Sequence, residues 1–145
     1  HRRSQERLDV PVIVGEWGGQ SEGTDWLYHI NYLLDKFDSN QWGQTYWAYY
    51  EGLLDNPIMD SLVRTAPVAV CGEIINYCLD RNSNVFTLMY NQDKEYTLPT
   101  EIYVHKAPIS IECDAEYTFE SKGNSGAGIL KINAKPGIHT VKITL

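Results

Sequence analysis

The feature that most constrains this chain is a change in the period of its apolar residues near residue 84. From there on, residues 85–90, 101–104, 109–113, 116–119, 128–132 and 140–145 are short runs in which apolar and polar side chains alternate. Period two is the mark of a strand with one covered and one wet face. Turn-forming strings such as Lys122-Gly123-Asn124-Ser125-Gly126 and Lys135-Pro136-Gly137 separate the runs. About six short strands of this kind bury their apolar faces as an all-β antiparallel sandwich.

Ahead of the change the pattern differs. Residues 10–14 read Val-Pro-Val-Ile-Val and stop at Gly15, an unalternating β-branched run expected of a strand buried on both faces in a parallel sheet. After Gly18 and Gly19, Thr24 is placed to cap a helix whose apolar positions Trp26, Leu27, Ile30, Leu33, Leu34 and Phe37 follow the helical period. Asp38, Ser39 and Asn40 end it. Residues 43–50, Gly-Gln-Thr-Tyr-Trp-Ala-Tyr-Tyr, are rich in strand formers, so residues 10–50 read strand, helix, strand, the unit of a parallel α/β layer. Residues 51–66 read as a long loop, and a second helix is expected from Pro67 to Leu79, with Val70, Cys71, Ile74, Ile75, Cys78 and Leu79 on one face. The expected division is an α/β part over residues 1–81 and a sandwich over residues 82–145, with the boundary at residues 81–84.

Composition removes several function classes. The formal net charge is -7 and the 12 Lys and Arg are scattered, which argues against nucleic acid as a partner. No run of about 18 consecutive apolar residues could span a membrane. Residues 1–7 are followed by no apolar core of roughly 7 to 15 residues, so no signal peptide is expected in this stretch. Cys71, Cys78 and Cys113 have no metal-ligand spacing, and no cofactor or metal is expected. On one helix, Cys71 and Cys78 would stand about 10 Å apart, too far for a disulfide, and the three are expected to be buried thiols. The 10 Tyr and 4 Trp, against 3 Phe, favour rings that pack on one side and hydrogen-bond on the other, which suits both sugar faces and strand cores.

Glu16 is the candidate for chemistry. It follows the first strand directly, and the C-terminal ends of parallel strands form the active face of α/β barrels and open sheets. Gly15, Gly18 and Gly19 let the chain turn and a ligand approach. A glutamate that caps the next helix or pairs with an arginine would occupy the same position, so placement alone leaves both roles open.

The string Val-Pro-Val-Ile-Val-Gly-Glu-Trp-Gly-Gly resembles the seventh strand of family 5 glycoside hydrolases, whose Gly-Glu-aromatic-Gly motif carries the nucleophile. The resemblance implies that Glu16 is a nucleophile and that the α/β part is the C-terminal end of a (β/α)8 TIM barrel. Residues 44–52, Gln-Thr-Tyr-Trp-Ala-Tyr-Tyr-Glu-Gly, look like the next strand, which in that family places a tryptophan beneath the sugar being cleaved. This implies that Trp47 binds substrate, with Tyr49 on the same side by alternation and Trp17 beside the nucleophile as a third contact. Trp47 as plain strand core remains the bland alternative.

Residues 61–72, Ser-Leu-Val-Arg-Thr-Ala-Pro-Val-Ala-Val-Cys-Gly, together with Pro-Thr-Glu-Ile-Tyr-Val at residues 99–104, look like the endoglycoceramidase branch, which appends such a sandwich and cleaves the bond between glycan and ceramide. The sequence departs from that pattern at Thr65 and Ala66, where a proline and an aromatic are expected, and at His105, which replaces a proline. The family's acid/base glutamate lies in an Asn-Glu-Pro motif, and this string does not occur here, so the catalytic pair is expected to be incomplete and the chain inactive alone. The resemblance implies a glycolipid or other β-glycoside substrate, membrane contact only peripherally through that lipid, and a secreted or lysosomal location. It leaves oligomeric state open. A glucosidase acting on a sterol glucoside or glucan, and a noncatalytic glycolipid-binding module, are the competing readings.

Overall fold

In the computed structural model, which describes residues 2–19 and 25–145, the chain divides between Val63 and Arg64 into two units. The first contains α1 (Arg2–Leu8), β1 (Ile13–Trp17), α2 (Trp26–Ser39), β2 (Gly43–Tyr46), a 3-10 turn (Leu53–Asp55) and α3 (Met59–Leu62). β1 and β2 pair in parallel, as the strand-helix-strand pattern requires. All six apolar positions of α2 lie in one cluster with Val14, Trp17, Leu53 and Ile58, while Tyr28 and Tyr32 on its other face are exposed. Asn40 stops the helix, its side-chain amide donating to the Lys36 carbonyl at 2.7 Å. The proposed cap Thr24 lies outside the described residues. Near the start of the chain, the Trp42 indole N–H donates to Gln5 Oε1 at 2.6 Å and ties α1 to the entry of β2.

Several boundaries differ from the sequence expectation. β1 begins at Ile13 rather than Val10 and includes Glu16 and Trp17. It is not buried on both faces, since Ile13 is 73% exposed, because α2 covers only one side of the pair. β2 stops at Tyr46 rather than Tyr50. The Trp47 amide donates to the Trp17 carbonyl at 2.8 Å, and β1 offers no partner beyond it. The long loop is partly helical and anchored by the buried Ile58, whose amide donates to the Asn56 side chain at 3.0 Å.

The second unit is an antiparallel β-sandwich of eight strands: β3 (Ala66–Ala69), β4 (Glu73–Asp80), β5 (Val85–Gln92), β6 (Thr100–Val104), β7 (Ser110–Cys113), β8 (Glu116–Ser121), β9 (Gly128–Asn133) and β10 (Gly137–Thr144). One sheet runs β4-β5-β10-β7 and the other β3-β6-β9-β8. Phe86, Leu88, Tyr90, Val141 and Ile143 from the first meet Ile102, Val104, Leu130 and Ile132 from the second in one buried cluster. The six strands read from period two are all present.

The helix expected from Pro67 to Leu79 is instead β3 and β4, and the boundary at residues 81–84 moves to Val63 and Arg64 with it. A bulge explains the misreading. Ile74 pairs with Tyr90 and Asn76 with Met89, so Ile75 is an extra residue in β4. Ile74 and Tyr77 therefore both face the core at a spacing of three, which imitates a helix. Gly72 settles the matter: its φ is +121 and a Cβ there would strike the Asn91 carbonyl, a backbone that a helix could not contain. None of the three cysteines is in a disulfide. The expectation of three buried thiols fails at Cys78, which is exposed on β4 opposite Thr87. Cys113 is half-buried, and burial pushes its thiol up.

Thr65 and His105, the two polar departures from the family pattern, bind each other. The Thr65 amide donates to His105 Nδ1 at 3.1 Å, and the His105 amide donates to Thr65 Oγ1 at 3.3 Å. An Nδ1 that accepts an amide proton belongs to a neutral imidazole. Burial, followed by the Lys106 and Arg81 charges, holds His105 below the usual imidazole value. The unfolded chain then takes up this proton more readily than the folded one, so stability contributed by the pair is present above pH 6.5 and is lost as pH falls below it. Urea unfolding of the wild-type protein should lose more stability between pH 7.5 and 5 than a His105→Asn variant does. Equal losses would show that the pair has no such linkage.

Candidate active site

Two tryptophans and a bulge decide where Glu16 points. Val14 pairs with Gln44 and Trp17 with Tyr46, so three steps along β1 match two along β2 and the register shifts between them. Gly15 and Glu16 together oppose Thr45. Val14 and Trp17 both lie in the cluster beneath α2, which strict alternation would forbid at odd spacing. The extra residue reconciles them and leaves Glu16 exposed on the far side of Trp17. Bulges of this kind recur next to active sites because they re-aim one side chain.

Trp17 holds the arrangement in place. It is only 9% exposed and meets Phe37 edge-on at 5.1 Å and Tyr46 at 5.5 Å between ring centroids. Its indole N–H donates to Gln44 Oε1. Both its ring and its N–H are thus engaged within the core of this unit. Burial pushes the Tyr46 phenol up, and the neighbouring Tyr50 adds to this, so Tyr46 stays neutral against the indole.

Trp47 and Tyr49 differ from Trp17 in exposure. They are 66% and 78% exposed, as expected if alternation past Tyr46 turns them from the α2 side. The Trp47–Ala48 peptide bond is cis. The Trp47 amide bonds the Trp17 carbonyl, so Trp47 stands at the C-terminal end of β2 as Glu16 does near that of β1. A Cβ on Gly18 would lie 2.5 Å from the Trp47 carbonyl oxygen, so only glycine allows the two strand ends to close up in this way.

Two contacts were not visible in the sequence. The Thr45 hydroxyl donates to the Gly15 carbonyl at the bulge, and Gln44 receives the Trp17 indole. Both depend on a register shift that carries no sequence signature. Among the described residues no group of three or more His, Cys, Asp or Glu is arranged to hold a metal ion. In the sandwich, a separate pocket of about 530 Å³ is lined by Asp114, Glu116, Asn133, Lys135 and His139, none of them a residue singled out for chemistry.

Residues 64–143 match the family model described as the glycoside hydrolase family 5 C-terminal domain. Among solved structures, endo-glycoceramidase II from Rhodococcus sp. is similar at a TM-score of 0.77 and 25% identity, over 98% of this chain and 35% of that one. The lactosyl-enzyme intermediate of the same enzyme gives the same values. Cryptococcus neoformans sterylglucosidase 1 has a TM-score of 0.68 at 15% identity, over 97% of this chain and 30% of that one, a likeness of fold. No curated protein matches. The chain thus spans about a third of the length of the solved structures that it resembles.

The two glycines of the site make opposite demands. Gly15 has no atom within 4 Å of an added Cβ, whereas Gly18 would meet backbone. Gly18→Ala should destabilise the protein by about 1–3 kcal/mol in urea unfolding, while Gly15→Ala stays within about 0.5 kcal/mol of wild type. Equal stability of the two variants would contradict the close approach of the strand ends.

Proposed function

Because the chain belongs to glycoside hydrolase family 5, we propose that it is part of a retaining β-glycosidase in which Glu16 attacks the anomeric carbon. The carrying observation is an exposed carboxylate, aimed by a bulge at the C-terminal end of a parallel strand, next to a strand that is followed directly by an exposed tryptophan. On this reading β1, α2 and β2 are the last part of a (β/α)8 barrel. The exposed Ile13 supports it, since an apolar side chain on the face opposite α2 is what a barrel interior would cover.

In retaining hydrolysis two carboxyl groups stand about 5–5.5 Å apart. Glu16 forms the bond to the anomeric carbon as the bond to the aglycone oxygen breaks. The second carboxyl gives that oxygen its proton, then takes one from the water that releases the sugar. No Asn-Glu-Pro string occurs in these 145 residues, so we assign the second carboxyl to a part of the protein outside them. Acid assistance contributes about 10²- to 10⁴-fold, and these residues alone are therefore expected to turn over unactivated glycolipid negligibly.

Trp47 is assigned as the platform beneath the sugar, its face against pyranose C–H groups, with the Tyr49 hydroxyl as a further donor or acceptor. Trp17 is assigned a supporting role only. For substrate we infer the bond between a glycan and ceramide, supported by the 25% identity with endo-glycoceramidase II and by the sandwich that both chains carry.

The test is trapping. The full-length protein, incubated with a 2-deoxy-2-fluoro β-glycoside bearing a good leaving group, should acquire a sugar on the peptide that contains Glu16, as read by mass spectrometry. Glu16→Gln should abolish the adduct. A protein that binds glycolipid yet gives no adduct would instead be a binding module.

A further inference from the structure

The side chain of Thr45 reaches across from β2 to the bulge. It is exposed, opposes the two-residue step formed by Gly15 and Glu16, and donates its hydroxyl proton to the Gly15 carbonyl oxygen. We propose that Thr45 is a positioning residue for the Glu16 carboxylate, an inference that rests on Glu16 being the nucleophile.

The Gly15 carbonyl and the Glu16 nitrogen belong to one planar peptide unit, so fixing the direction of that oxygen fixes the plane from which the Glu16 Cα departs. The bulge supplies no regular ladder pairing to do this, because its residues are out of register with β2. Gly15 also lacks a side chain that would restrict its own backbone. Thr45 is stiff at its first side-chain torsion and sits on β2, whose register on either side is held by Gln44 and Tyr46. Its hydroxyl is therefore a fixed point. The carboxylate of Glu16 has to approach an anomeric carbon within a few tenths of an ångström of the reactive geometry, and misplacement by about 1 Å can cost about 100-fold in rate. The hydroxyl need not touch substrate to matter.

The experiment compares Thr45→Val, which keeps the shape and removes the hydroxyl, with Thr45→Ser, which keeps the hydroxyl, in the full-length protein. The rate and half-saturation of adduct formation with the fluorinated glycoside are measured alongside thermal melting. Thr45→Val should trap about 10- to 100-fold more slowly with half-saturation and melting midpoint little changed, and Thr45→Ser should recover most of the rate. Should Thr45→Val not fold, Thr45→Ala is measured in its place. Trapping at the wild-type rate without the hydroxyl, or loss of rate only in step with loss of folding, overturns the assignment of Thr45. Glu16→Gln, run beside them, keeps the two readings apart: an adduct that survives it removes the nucleophile itself, whatever Thr45 does.

Discussion

Trp17 is buried against Phe37 and Tyr46 beneath α2, and the direction of its neighbour follows from that burial. An indole of this size removes a large apolar area from water, and its N–H is satisfied by Gln44. Two residues of β1, Val14 and Trp17, need the same covered face, and period-two alternation cannot give it to both. The chain resolves the conflict by inserting a residue. Glu16 faces outward because Trp17 cannot, so the candidate nucleophile is aimed by a hydrophobic constraint on the residue after it.

What the sequence made legible, and what it hid, follows from the same geometry. The period of α2 was read at all six apolar positions because a helix with one covered face has no other way to write itself. The six later strands were equally plain. Residues 67–79 read as a helix in the sequence because the bulge at Ile75 puts Ile74 and Tyr77 on one face at helical spacing. The burial of Trp17 is not legible from its place beside Glu16, since neighbours on a strand do not share a direction. Glu16 is singled out by a motif alone, while Thr45 and Gln44 acquire their contacts only through a shifted register.

The pairing of Thr65 with His105 bears on how departures from a family pattern are to be read. Taken singly, each looked like a lost proline or aromatic. Together they exchange two hydrogen bonds, each from a backbone amide to the other's side chain, across 40 residues of sequence and lock the entry of β3 to the end of β6. A proline at 105 has no amide to donate to Thr65 and no ring nitrogen to accept from it. In this chain the two departures are therefore coupled through one local pair of contacts.

Bulges carry the information that alternation loses. In β1 the extra residue separates what the core needs from what the site needs, and in β4 it lets a strand bend while keeping Ile74, Tyr77 and Leu79 on the core. β3 has a third irregularity between Pro67 and Ala69, where proline also removes a ladder donor. A regular strand can present every second residue to a ligand only if every other one suits the core. Where those demands collide, one inserted residue costs a ladder hydrogen bond and decouples them. On the inserted step of β1, the Gly15 carbonyl accepts the Thr45 hydroxyl proton.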